Sequence, residues 1–207
     1  MEPRWIKWAR ALQAISQTGL HFAENKYDLE RYREIQEIAA EVFSDYGKID
    51  KEVVKNLFAR ESGYATPKVD VRGVVFRNSQ ILLVREIADD NLWTLPGGWA
   101  DVNESPSEAV VREVLEESGY ETRAVKLLAV YDRAKHDHVP PYPYHIYKLF
   151  FLCEIIRGKA KPSGETSETG FFPEHDIPEL SVSRVTPKQI GRFFAHNKHP
   201  EWPADFD

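Results

Sequence analysis

Residues 98–120 read GWADVNESPSEAVVREVLEESGY, and the fold follows from how this stretch is interpreted. It begins as a loop and becomes a short helix. Ser105 is an N-cap residue, Pro106 falls at the first helical position, and Glu108 stands where it closes a capping box with Ser105. Gly119 suits the left-handed conformation that ends a helix. Ala109, Val110, Val111, Val114 and Leu115 provide an apolar face to dock on a core. The charges are less usual. Glu113 and Glu117 are four apart and share a face, Glu116 is close by, and Glu104 precedes the helix within reach. Like charges at that spacing cost roughly 0.2–0.5 kcal/mol per pair. A hard divalent cation reverses the sign, because it takes carboxylate oxygens as ligands. Arg112, four before Glu116, can neutralise or orient one of them. A triplet of glutamates is equally compatible with a solvated helix face, so the acidic pattern needs its surroundings to acquire meaning.

Those surroundings supply it. Gly98, Glu104, Arg112, Glu113, Val114, Glu116, Glu117 and Gly119 match G-x5-E-x7-R-E-U-x-E-E-x-G-U in type and spacing, with U a bulky aliphatic residue. The stretch thereby resembles the signature of the Nudix hydrolases. Tyr120 stands at the last position, where an aliphatic residue is usual; that is a change in packing. The resemblance implies an α/β/α sandwich with a mixed sheet over about residues 68–197. It also implies hydrolysis of a pyrophosphate bond assisted by Mg2+ or Mn2+. On that basis Glu113 and Glu117 are metal ligands, Glu116 a further ligand, and Gly97 or Gly98 the source of a carbonyl ligand. Arg112 becomes an orienting partner, and Glu104 takes a supporting or water-bridged role. A further acidic residue from a later loop is expected as ligand or base, with Glu168 preferred and Glu165 the alternative.

The rest of the chain frames this helix. With 207 residues, 42% of them hydrophobic, it has material for one full core and a smaller unit. Net charge is -6, from 33 acidic and 27 basic residues. That balance argues against a general nucleic-acid-binding surface. A single cysteine, Cys153, leaves no disulfide framework and no cysteine zinc cluster; it lies in an apolar run and reads as an inert buried thiol. The charged opening residues and the lack of a membrane-length apolar run point to a soluble, cytoplasmic protein.

Up to about Ser62 the periodicity is helical. Trp5, Ile6, Trp8, Ala9, Leu12 and Ile15 mark a first helix closed by Gly19. Leu29, Tyr32, Ile35, Ile38, Ala39 and Phe43 mark a second ended by Gly47. A third, short one is capped by Asp50 and ended by Gly63. Three helices are too few to bury their apolar stripes alone, so packing on another domain or subunit is expected. Trp5 and Trp8 are either interface anchors or core aromatics. The division expected is residues 1–64, a helical domain used for dimerisation, and 65–207, the hydrolase domain.

Beyond the connector Tyr64-Ala65-Thr66-Pro67, strands follow. Val69, Val71, Gly73 and Val75 alternate with Asp70 and Arg72. Gln80–Arg85, Thr122–Asp132 and Ile146–Ile156 form further strands, the last one central. A proline-rich loop spans Arg133–Pro143, another strand holds Gly170-Phe171-Phe172, and a final helix begins near Thr186-Pro187. The sum is α+β.

Candidate substrate residues are Arg85 and Arg133 for phosphate, Tyr131 for base stacking, and His136 in the proline-rich loop. Tyr142, Tyr144, Trp93 and Trp99 are further stacking candidates that packing explains equally well. His136, His138 and His145 lack the arrangement of a zinc site. The helical region around residues 15–32 and the segment GYATPKVDVR at 63–72 resemble a Nudix subgroup with a helical N-terminal domain. That subgroup includes bacterial CDP-choline pyrophosphatases and ADP-ribose pyrophosphatase-like chains. It implies a nucleoside diphosphate linked to a second moiety as substrate, CDP-choline first and ADP-ribose second, and a homodimer. The alternatives are action on RNA ends as pyrophosphohydrolase or exonuclease, with RNA as a secondary substrate, and a non-catalytic sensor. Sensors of this kind lack box carboxylates, and all are present.

Overall fold

The computed structural model describes residues 3–207. The chain divides into two compact units. One comprises residues up to Lys68 together with Pro141–His145; the other comprises Val69–Pro140 and Ile146–Asp207.

The first unit holds helices α1 (Arg4–Phe22), α2 (Lys26–Gly47) and α3 (Lys51–Ala59). Asn25 caps α2 by accepting the Asp28 N–H, and Asp50 caps α3 by accepting from Glu52 and Val53. Contrary to expectation, Gly19 does not close α1. It sits inside the helix under the ring of Tyr32 from α2, where a Cβ would stand 2.4 Å from the ring carbons. The glycine is a point of close helix approach. Nor does Gly63 end α3, which stops at Ala59; Gly63 lies in the following loop at φ +81°. The three helices bury more than expected among themselves. Ile6, Ala9, Ala39, Ala40, Phe43, Val54 and Phe58 form one cluster, with Trp5 and Tyr144 packed on it. Trp5 is therefore a core aromatic, whereas Trp8 is 58% exposed.

In the second unit, β1 (Lys68–Arg77, of which all but Lys68 belong here), β2 (Gln80–Glu86) and β3 (Trp93–Thr94) precede α4 (Pro106–Ser118). Then come β4 (Tyr120–Asp132), β5 (Ile146–Gly158), β6 (Thr166–Phe172), α5 (Pro187–Lys198) and the two-residue β7 (Asp205–Phe206), which the sequence did not announce. The sheet order is β3-β2-β1-β5-β4-β7, with β6 paired to the other side of β2. The β4–β7 pairing is parallel, while β1–β2, β2–β3, β2–β6 and β4–β5 are antiparallel, so the sheet is mixed.

Alternation on β2 shows the layers. Ile81 and Leu83 join Phe150, Ile190 and Phe193 on the α5 side, while Leu82 joins Val71, Val110 and Val114 on the α4 side. Since successive strand residues face opposite ways, α4 and α5 cover opposite faces in an α/β/α sandwich. Two docking details differ from expectation. Leu115 is exposed rather than packed, because Val110 and Val114 already turn the helix onto the sheet. Asp70 and Arg72, which read as a solvated alternation, are buried. Among the described residues no helix is long and apolar enough to cross a membrane.

Candidate active site

Local sequence sets the acidic helix firmly. Ser105 accepts the Glu108 N–H at 3.3 Å, and the Glu108 carboxylate accepts the Ser105 N–H at 2.8 Å. At the other end Gly119 adopts φ 78° and donates to the Leu115 carbonyl. The carboxylates on this helix fall into two settings.

The first is organised by Arg112. Its Nε donates to Glu104 Oε1 at 2.9 Å and its Nη2 to Glu104 Oε2 at 3.0 Å. Its Nη1 reaches Glu113 at 2.9 Å and Glu116 at 3.0 Å. One guanidinium thus gathers three glutamates, and they raise its pKa in turn, Glu104 most.

The second setting is Glu117. It is 7% exposed, and its Oε2 accepts the Gly97 N–H at 2.8 Å. Burial pushes its carboxyl up to about 7; the Arg72 charge and the Gly97 bond oppose this, while Glu113 and Glu86 add to it. Burial also raises Glu113, against the pull of Arg112.

The glycine pair lets this helix meet the loop. A Cβ on Gly98 would stand 3.1 Å from the Glu113 carboxylate, and one on Gly97 would stand 2.1 Å from the Val71 carbonyl oxygen. Gly97 also holds φ +142°, a conformation that L side chains rarely adopt. The Gly98 carbonyl accepts the Val71 N–H at 2.8 Å, which leaves its second lone pair for another partner.

Two groups around the site escaped sequence reasoning. Asp70, Arg72 and Lys148 form a buried chain. Arg72 grips both Asp70 oxygens at 3.0 and 2.8 Å, and Lys148 Nζ donates to Asp70 Oδ1 at 2.5 Å. Glu86, half-buried, is paired with Arg184, and Asp89 binds the Ser181 and Ser183 hydroxyls. The available signal was charge inside otherwise apolar strands: Asp70 and Arg72 among valines, Lys148 in the run from Ile146.

The later candidates are placed as follows. Glu168 lies within β6, opposite Arg85 of β2, and accepts from Arg85 Nη1 at 2.8 Å; its side chain is 56% exposed. Two residues earlier, Thr166 Oγ1 donates to the Glu117 main-chain carbonyl at 2.6 Å, so β6 starts against the end of α4. Glu165 sits just before β6, its carbonyl accepting the Ile87 N–H. Arg133 is buried, with its guanidinium on the Ser183 and Pro140 carbonyls. Tyr131 is also buried, donates to Asp205, and lies against the ring of His136, which in turn meets Asp207. His138 is held neutral by burial and by the Lys148 and Arg133 charges, its pKa drawn down to about 3.

The sequence relations agree with this arrangement. Residues 66–193 match the NUDIX domain family. The chain belongs to the Nudix hydrolases. Residues 3–58 match a second family, described as a UDP-X-like N-terminal oligomerisation domain. A Bacillus subtilis protein, provisionally named ADP-ribose pyrophosphatase YjhB, is 47% identical over 207 residues, covering all of this chain and 99% of its own. An ADP-ribose pyrophosphatase structure from Streptococcus suis is 37% identical with a TM-score of 0.62; the match covers 69% of this chain and all of that one. A UDP-X diphosphatase structure is 30% identical with a TM-score of 0.64 and full coverage of both chains.

This Nudix enzyme is a pyrophosphatase of the ADP-ribose pyrophosphatase-like kind, and Nudix hydrolases generally use divalent metal ions. The donor set fits such an ion. Glu104, Glu113, Glu116 and Glu117 offer hard oxygens; the first three share the Arg112 guanidinium, and Glu117 bonds the glycine turn. Among the described residues no three acidic, histidine or cysteine side chains already converge on one point. The carboxylates are instead bonded to Arg112 and, for Glu117, to the Gly97 N–H.

Proposed function

We propose that this enzyme hydrolyses the pyrophosphate bond of a nucleoside diphosphate linked to a second moiety, releasing a nucleoside monophosphate and the phosphorylated moiety. ADP-ribose is the first substrate of this reading and CDP-choline the second. Relatives named as ADP-ribose pyrophosphatases support this order, which differs from the CDP-choline-first order implied by the subgroup resemblance. The observation that carries the reaction class is the box itself: four glutamates around Arg112 and Gly97, with Glu117 buried and its ionisation opposed.

In this reading Glu113, Glu116, Glu117 and the Gly98 carbonyl hold Mg2+ or Mn2+. A cation bound there neutralises pyrophosphate oxygens and lowers the pKa of a coordinated water. The chain does the rest. Arg112 fixes the rotamers of Glu104, Glu113 and Glu116 before substrate arrives. The Gly97 N–H orients Glu117. Glu168 Oε1 serves as the acceptor for the attacking water's proton once Arg85 releases it; its place two residues from the Thr166–Glu117 contact supports that role. The first unit mediates a homodimer, a reading supported by the family match and by exposed Trp8, Ile15, Phe22, Tyr46 and Val53.

The test is a panel of ADP-ribose, CDP-choline, UDP-sugars and capped RNA, assayed with Mg2+, Mn2+ or excess chelator. AMP and ribose 5-phosphate from ADP-ribose, abolished by chelator, are expected. Turnover that survives chelator, or a preference for RNA ends over every small substrate, overturns the reading. Light scattering should give twice the monomer mass.

A further inference from the structure

The glycine turn that meets the acidic helix is held from below by a single strand. Three of its carbonyls are bound by β1 or by a side chain of β1. The Gly73 N–H donates to the Pro96 carbonyl at 2.8 Å and the Val71 N–H to the Gly98 carbonyl at 2.8 Å. Between them, Arg72 Nη1 donates to the Leu95 carbonyl at 3.1 Å. The turn is pressed so closely onto this strand that a Cβ on Gly97 would stand 2.9 Å from the Arg72 Cα. On its other side the Gly97 N–H bonds Glu117.

Arg72 is itself immobilised. It is 1% exposed. Nε and Nη2 are spent on the two Asp70 oxygens, and Lys148, from β5, completes Asp70. Two buried cations on one buried carboxylate make a poor stability device. Replacing buried ion pairs by apolar residues is often neutral or stabilising, whereas a rigid charged fork fixes geometry.

We propose that Arg72 is a positioning residue for the active site: clamped by Asp70 and Lys148, it holds the Leu95–Gly98 turn in the register that presents the Gly98 carbonyl and Glu117 to a divalent cation. The inference rests on the metal-dependent reading above.

The discriminating variants are Arg72→Lys and Arg72→Met. Lysine keeps the charge and a bond to Asp70 but lacks the fork that reaches Leu95 at the same time. Mn2+ binding is measured by electron paramagnetic resonance on folded protein, alongside kcat, KM and the melting temperature in chelator. Loss of a group that orients metal ligands weakens metal affinity or activity by roughly 10–100-fold. Arg72→Lys should therefore weaken Mn2+ binding at least about tenfold and lower kcat with KM for the nucleotide little changed. Arg72→Met should do the same more strongly. If Arg72→Met does not fold, Arg72→Lys still decides. A lysine variant that melts lower but keeps wild-type Mn2+ affinity and kcat has lost only structure, and the proposal falls; tighter Mn2+ binding also overturns it, because Arg72 would then act by repulsion alone. Failure of the underlying reading looks different, since wild-type protein itself would then show no Mn2+ binding or no metal-dependent turnover.

Discussion

Replacing Glu117 by glutamine should stabilise the metal-free protein while abolishing its catalysis. Burial holds the Glu117 carboxyl at about 7 instead of the ordinary 4.5. At ~1.36 kcal/mol for each tenfold change in proton affinity, ionising it within the fold is opposed by about 3 kcal/mol. The sign follows from linkage. A carboxyl whose folded pKa lies above its unfolded value contributes stability that is fully present below pH 4.5 and is lost as pH rises through about 7. At pH 8 in chelator the wild type carries the whole penalty. Glutamine carries none, and its carbonyl can still accept the Gly97 N–H. For a chain of this size 1 kcal/mol moves the melting temperature by roughly 2–4 °C, so Glu117→Gln should melt higher by up to about 6–12 °C at pH 8. At pH 4.5 and below, where the wild-type group is protonated, the gap should close. Mg2+ should reverse the order at pH 8 by stabilising only the wild type. The assay is differential scanning calorimetry across pH 4–8, with chelator and with Mg2+. A glutamine variant that melts at or below wild type at pH 8 in chelator refutes the reasoning, as does a gap that does not shrink at low pH.

Arg112→Ala leaves Glu104, Glu113 and Glu116 without their shared cation; kcat/KM should fall by roughly 10–100-fold, and the loss in melting temperature should be larger at low salt than in 1 M NaCl. Gly97→Ala puts a Cβ 2.1 Å from the Val71 carbonyl oxygen at φ +142°, and urea denaturation should show a loss of at least about 3 kcal/mol. Its control is Gly191→Ala, within α5 and with open space around the added carbon, which should gain about 0.5–1 kcal/mol. Lys148 is drawn down to about 7 by burial and by the Arg72 and Arg133 charges, against Asp70. Its folded state therefore binds fewer protons than the unfolded chain between pH 7 and 10.5, and this group adds stability as pH rises through that range. Lys148→Met should remove that rise, read as the difference in urea midpoints between variant and wild type at pH 7 and pH 10.

Helix α4 was legible in the sequence because its signals are local. Cap, first-turn proline, capping box and terminal glycine each act within four residues, and the structure reproduces all of them. The box carboxylates were legible for the same reason. Spacing on one helix fixes which side chains share a face, although it does not say that Arg112 would gather three of them. The buried chain below was illegible because its meaning is non-local. Asp70 and Arg72 alternating with valines look like the wet side of a strand, and nothing local says that Lys148 and the Leu95 carbonyl close over them. Gly19 misled for a related reason. A glycine reads as a helix stop from its backbone freedom, but its purpose in α1 is to admit the Tyr32 ring from α2. Arg133 and Tyr131 belong to the same class. Single polar side chains carry no mark that distinguishes a surface ligand from a residue folded onto nearby carbonyls and carboxylates.

The two settings of the box carboxylates explain how one short helix tolerates so much like charge. Glu104, Glu113 and Glu116 are held by one arginine, which offsets their mutual repulsion, and water and salt screen the exposed Glu116 further. Glu117 has no such partner. It is buried against a backbone N–H, and the nearest compensating charge is Arg72, already committed to Asp70. If all four carboxylates were arranged around Arg112, the site would be electrostatically satisfied without a cation and would bind one weakly. If all four were buried like Glu117, their protonation would leave no anionic site at neutral pH. Dividing them leaves Glu117 poised near neutrality, so that a divalent cation gains most at the one box carboxylate that Arg112 does not hold. Metal affinity should then fall below pH 7 with release of about one proton per site, a proton count that calorimetry in buffers of different ionisation enthalpy measures directly. A count near zero at pH 6 would place the ion away from Glu117.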